Sequence, residues 1–132
     1  MITLLGTNIT DKIYNTAISR QYTPEAAAAI AATISLEVSG ITLISYRGDR
    51  YRKYADYSER KNSNPQLPDT QIAFIFDNLS DYNVSRVKYA KTIDDAVRAF
   101  NEEYLKKTLD TTEFLTLTIL ANEINRLFVE EA

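Results

Sequence analysis

The stretch Ile41 to Tyr57, I-T-L-I-S-Y-R-G-D-R-Y-R-K-Y-A-D-Y, decides the fold class of this chain. From Ile41 the apolar pattern alternates through Arg47, Gly48-Asp49 follows, and tyrosines interleave with charged residues from Arg50 to Tyr57. β-Branched and aromatic residues at a period of two, divided by a glycine suited to the first central position of a type II′ turn, predict a β-hairpin. On the second arm Arg50, Arg52 and Tyr54 share one face, and Tyr51, Lys53, Ala55 and Tyr57 share the other.

The same reading extends C-terminally. Asn62 to Asp69 is polar and proline-punctuated, which predicts a loop, and its Pro65-Gln66-Leu67-Pro68 run reads as a turn rather than a polyproline ligand. Thr70 to Asp77 is strongly apolar on both alternating faces, which predicts a strand buried on two sides. Asn78 to Asn83 reads as a second turn, leading to a strand at about Val84 to Ala90. Ile2 to Leu5 offers one more short strand.

Helices flank these segments. Thr10-Asp11 caps a modest helix carrying Ile13, Ala17 and Ile18, and Thr23-Pro24-Glu25 starts a longer one running to about Val38, with Gly40 as its stop. Thr92-Ile93-Asp94-Asp95 resembles a capping box opening a helix whose buried stripe is Ile93, Ala96, Val97, Phe100 and Tyr104. A last helix covers about Glu113 to Val129 on the stripe Phe114, Leu117, Leu120, Ile124, Leu127 and Phe128. Leu115 and Ile119 fall off that stripe. The favoured reading packs them under another helix of the same chain, with a homodimer or partner contact as the alternative. The element order predicts one α+β domain over residues 1–132, with an antiparallel sheet of three to five strands and helices packed mainly on one face.

Composition limits the chemistry. The 132 residues include no cysteine and no histidine, which excludes disulfide frameworks, thiol nucleophiles, Cys/His zinc sites and histidine-based triads. The three glycines are too far apart for a phosphate-binding loop. Asp94 and Asp95 are adjacent and diverge by about 100° on a helix, so they suit a helix start better than a paired carboxylate site. Asp81, Asn83 and Ser85 imitate half of a calcium loop, but Arg86 and Thr92 stand where glycine and glutamate are required. No cofactor or metal is expected. No run of the chain is apolar enough for a membrane span, and with the lack of cysteine this predicts a cytoplasmic protein.

The net charge of −3 is unevenly spread. Arg47, Arg50, Arg52, Lys53, Arg60 and Lys61 outnumber the acids around the predicted hairpin, whereas acids dominate from Asp94 onward. The hairpin is therefore the candidate contact surface, with Arg47, Arg50, Arg52, Lys53 and Tyr54 as its binding residues. Tyrosine and arginine together suit an interface hot spot, and the same pair suits phosphate and unpaired bases. A plainer role is also consistent with these residues: charge that keeps an edge strand soluble. The leading expectation is a small non-enzymatic binding or regulatory protein of prokaryotic or phage type, an adaptor or inhibitor whose partner is another protein or a second copy of itself. The alternative is a nucleic-acid or nucleotide binder using the same hairpin. A metal-dependent hydrolase built on carboxylates is the third reading.

Overall fold

Thr23 accepts the Ala26 backbone N–H on its hydroxyl, Pro24 occupies the first helical position, and Glu25 lies in the first turn. This start signal produces α2 (Pro24–Glu37), around which the rest of the chain is built. In the computed structural model, residues 7–37, 48–62, 68–80, 85–106 and 108–130 are described. The other helices are α1 (Thr7–Ser19), α3 (Gly48–Arg60), α4 (Pro68–Leu79), the single turn α5 (Ser85–Lys88), α6 (Ile93–Ala99) continuing into a π-helical turn (Phe100–Tyr104), and α7 (Thr111–Glu130).

Every residue from Ala26 to Ala32 in α2 has 0% exposure, so the helix is buried on all sides. Its neighbours are α1, α6, α7 and the π-helical turn. Small side chains permit this, because alanine adds little radius and lets several helices approach one axis. Ala28→Leu is therefore expected to cost about 1–3 kcal/mol through overpacking, read as a lower denaturant midpoint at unchanged slope.

The turn after α1 is set by its backbone. Gln21 takes a left-handed conformation with φ 69°, its N–H donates to Ile18 O, and the Tyr22 N–H donates to Ala17 O. This pair of bonds closes the helix C-terminus and turns Tyr22 into the core. The Thr23 N–H then donates to Lys88 O and the Thr23 hydroxyl to Ala90 O, pinning the start of α2 to the segment between α5 and α6. Across the bundle, Tyr14 of α1 stacks on Phe128 of α7 with ring centroids 4.1 Å apart.

The expected α+β architecture is overturned: every described element is a helix, with no strand or sheet among the described residues. The second arm of the expected hairpin is α3; the first arm, 41–47, lies outside the described residues, as does the expected strand at 2–5. Tyr54, Tyr57 and Ser58 stand at the i, i+3, i+4 spacing, and in a helix they face inward together, whereas a strand would have split them. The expected central strand at 70–77 is α4. Thr70, Gln71, Ile72, Phe74, Ile75, Phe76, Asn78 and Leu79 are buried, so burial on both sides was legible while the period was not. The overlooked signal is Pro68-Asp69, the same first-position proline and acidic first turn that open α2. In place of the strand expected at about 84–90, Ser85–Lys88 forms a single helical turn that buries Val87.

The C-terminal half follows the sequence pattern closely. Thr92 accepts the Asp95 N–H at 3.1 Å, and Ile93, Ala96, Val97, Phe100 and Tyr104 are all buried. The reciprocal capping box belongs to α7: the Glu113 N–H donates to Asp110 Oδ1 at 2.8 Å, and the Asp110 N–H donates to Glu113 Oε1 at 3.4 Å.

Candidate functional site

The basic segment is the inner partner of α4. Tyr54 is 4% exposed, its ring meeting Phe74 edge-on at 5.2 Å, and Tyr57 meets the same phenylalanine at 5.4 Å. Docking through these rings leaves Arg52, Lys53, Asp56, Glu59 and Arg60 exposed. Of the five residues expected to make the contact, Arg52 and Lys53 are at the surface and Tyr54 is inside. Arg50 belongs to α3 but its side chain is outside the described residues, and Arg47 lies outside them altogether. Because Asp56 and Glu59 sit among the exposed cations, the face is of mixed sign and its field on an anion is weakened. The contact surface expected on a β-hairpin is thus a charged helix side, and the hairpin is withdrawn.

Asp77 joins three elements. Its Oδ1 accepts from Arg20 Nη1 at 2.7 Å and its Oδ2 accepts from the Tyr57 hydroxyl at 2.8 Å, with Lys61 Nζ 5.7 Å from the Tyr57 ring. Burial alone would raise the Asp77 pKa; the hydrogen bonds from Arg20 and Tyr57, with the charges of Arg20 and Lys61, outweigh it and hold the carboxyl below its usual range. For Tyr57, burial comes first and the hydrogen bond and charge of Asp77 add to it, pushing the phenol up to about 12. Sequence separations of 57 and 20 residues kept this trio out of any motif.

A pH prediction follows from these directions. The depressed Asp77 pKa contributes stability that is present above the unfolded value of 3.8 and lost as pH falls through the folded one. The raised Tyr57 pKa contributes stability present below 10.0 and lost as pH rises toward 12. In Asp77→Asn, the loss relative to wild type should be largest near neutral pH and shrink on acidification, with the Tyr57 phenol moving back toward 10.0. Side-chain exposures of 38% and 41% at Arg20 and Asp77 leave the ion pair screened, so its share is about 1 kcal/mol or less. Paired denaturation curves against pH and ring-carbon NMR titration of Tyr57 check both parts.

Beside this network, α1 and α4 enclose an open groove of about 440 Å³. Asn15, Thr16 and Ser19 line it over a floor of Ile72 and Ala73, and Lys12 Nζ bridges it to Asp69 Oδ1 at 2.9 Å. Its cations are matched by carboxylates, so it shows no preference for a charged ligand.

A buried polar cluster surrounds the π-helical turn. At this turn the Val97 carbonyl accepts both the Phe100 backbone N–H and, at 2.9 Å, Asn101 Nδ2, which also reaches Thr33 Oγ1 at 3.5 Å. Tyr104 donates its hydroxyl to Asn78 Oδ1 at 2.8 Å, tying the turn to α4. Asn101 Oδ1 has no hydrogen-bond partner, although the residue is 0% exposed.

The outer side of α7 is the largest departure from ordinary burial. Leu115 is 52% and Ile119 63% exposed, one helical turn apart, which overturns the reading that tucked them beneath another helix. Around them Thr112, Thr116 and Asn122 are exposed, and two of the three bond back to their own helix: the Thr116 hydroxyl donates to Thr112 O and Asn122 Nδ2 to Thr118 O. The face thus presents methyl groups beside an apolar pair.

Among the described residues no group of three or more acidic side chains is placed to hold a metal ion, and no helix is long and apolar enough to cross a membrane. Asp94 and Asp95 are exposed in the first turn of α6, where the helix dipole accounts for them. Compared with protein-family models, with curated proteins and with solved structures, the chain finds no match.

Proposed function

We propose that this chain is a protein-binding helical module, an adaptor or inhibitor, whose contact face is the outer side of α7. The observation that carries the reading is the exposed pair Leu115 and Ile119 on a 20-residue helix whose other sides pack on α2 and α6. Two large aliphatic side chains at one-turn spacing, beside Thr116 and Asn122 that bond back to their own helix and an Arg126–Glu123 ion pair, present exposed apolar surface. The absence of cysteine supports the cytoplasm as its compartment.

The nucleic-acid reading on α3 is weaker, since Asp56 and Glu59 offset Arg52 and Lys53 on the same side. The test separates the two. Wild type, Leu115→Ser/Ile119→Ser and Arg52→Ala/Lys53→Ala are immobilised and exposed to lysate with and without nuclease. A nuclease-resistant protein lost only with the α7 variant, which after purification slows amide exchange along α7, is the expected result. Retention indifferent to the α7 changes, or nucleic acid lost with the α3 variant, overturns the proposal.

A further inference from the structure

We infer that α3 is a cover that opens from α4 as a unit while the other helices stay folded, with the Tyr57–Asp77 hydrogen bond as its latch. The cover rests on few side chains. Of those described in α3, Tyr54 and Ser58 are buried and Tyr57 is half-buried, while Arg52, Lys53, Ala55, Asp56, Glu59 and Arg60 are exposed. Its main packing partner is α4, where Tyr54 and Tyr57 both rest on Phe74. The α4 helix has anchors of its own: Phe76 meets Tyr22 edge-on at 5.6 Å, Asn78 accepts the Tyr104 hydroxyl, and α1 packs along it.

Opening also leaves no charge stranded. When the Tyr57 hydroxyl departs to water, Asp77 keeps the Arg20 guanidinium at 2.7 Å. A carboxylate losing its sole partner in a closed interface would hold the helix shut; this one does not. The Ser58 hydroxyl donates to Ala55 O within α3, and the Lys61 ammonium over the Tyr57 ring travels with the same segment. Once off α4, a 13-residue helix is marginal in water, so release returns its conformational entropy as well. By contrast, α2 is 0% exposed from Ala26 to Ala32 and cannot leave without opening the whole fold. What the cover uncovers is the Phe74 ring beside one oxygen of Asp77.

Thiol labelling tests this directly, because the chain has no cysteine and one introduced thiol reacts alone. Ser58→Cys places it beneath α3, and Val97→Cys, at a fully buried position of α6, reports opening of the whole fold. Where alkylation is first order in reagent, its rate tracks the open population. The Ser58→Cys thiol is expected to react at least ~100-fold faster than the Val97→Cys thiol, and still at least ~tenfold slower in water than in urea. Adding Tyr57→Phe should speed it about fivefold, the loss of one hydrogen bond. Adding Ile124→Val in α7 should speed only Val97→Cys, by about fivefold, because α7 stays packed when α3 opens. Amide exchange on the unsubstituted chain should show the same order, with α3 less protected than α2. Equal rates at the two thiols, equal amide protection of α3 and α2, or a Ser58→Cys rate that rises with Ile124→Val overturns the independent cover. A rate indifferent to Tyr57→Phe overturns the latch, and a rate in water equal to that in urea overturns the docked state.

Discussion

Phe100→Ala is expected to lower the unfolding free energy by about 3–5 kcal/mol, the cost of removing a fully buried aromatic ring and leaving its cavity. Phe100 has 0% exposure, stacks on Tyr104 at 5.4 Å, and stands where α6 widens into the π-helical turn. Its burial is set on two levels. In sequence it completes the i, i+3, i+4, i+7 stripe begun by Ile93, and in the fold that stripe rests on α2. A loss of this size is a large part of the 5–15 kcal/mol that single domains possess, so the variant should be partly unfolded at elevated temperature. Urea denaturation followed by far-UV circular dichroism gives the number, with Leu115→Ala as a surface control expected within about 0.5 kcal/mol of wild type. A Phe100→Ala loss below about 1 kcal/mol would contradict the buried position of the ring.

Asn101→Asp should be nearly as damaging at neutral pH and much less so in acid. The side chain has 0% exposure, and its amide donates to the Val97 carbonyl and toward the Thr33 hydroxyl, which itself donates to Ala29 O. A carboxylate of the same shape has no proton to offer the Val97 oxygen. Fully buried carboxyl groups rise by up to about 3–5 pKa units, and three units correspond to about 4 kcal/mol. A folded pKa raised above the unfolded value of about 3.9 makes the penalty complete above the folded pKa and smaller as pH falls toward the unfolded one. Once protonated, the acid donates to Val97 O again. Asn101→Leu should instead cost about 1 kcal/mol at every pH, because the Val97 carbonyl loses the Asn101 amide but keeps the Phe100 N–H, and no charge is buried. Comparing both variants with wild type at pH 7 and pH 4 tests the cluster. An Asn101→Asp deficit that does not change with pH would mean that solvent reaches this position.

The helix starts that the sequence announced correctly share a short-range cause. Thr23-Pro24-Glu25 and Thr92 act within one turn of their own position, so the bonds they form are decided before any distant residue arrives. Pro68-Asp69 is a signal of the same kind, hidden by the β-like composition of the residues after it. The segment with four tyrosines fits both periods: adjacent residues differ in character as in a strand, while residues three and four apart, such as Tyr54, Tyr57 and Ser58, can share one helix face. Aromatic and β-branched residues favour strands because they pack well on a pleated surface, a preference that changes with what they pack against. Here the packing partner is Phe74 of α4, and one phenylalanine receiving both Tyr54 and Tyr57 requires a helix.

The candidate surfaces divide in the same way. By itself the sequence determined α2 with its alanine-rich centre, the stripe from Ile93 to Tyr104, the principal stripe of α7, and the loss of all cysteine and histidine chemistry, because each depends on residue identity at local spacing. Tertiary structure alone decided that 48–60 is a helix, that Tyr54 is inside while Arg52 and Lys53 are outside, and that Asp77 gathers Arg20 and Tyr57. It also decided which of the apolar residues on α7 stay in water. A helix with aliphatic residues around more than half its circumference can bury only as many as its neighbours cover. Once α2 and α6 have taken Leu117, Leu120, Ala121 and Ile124, Leu115 and Ile119 are left facing out.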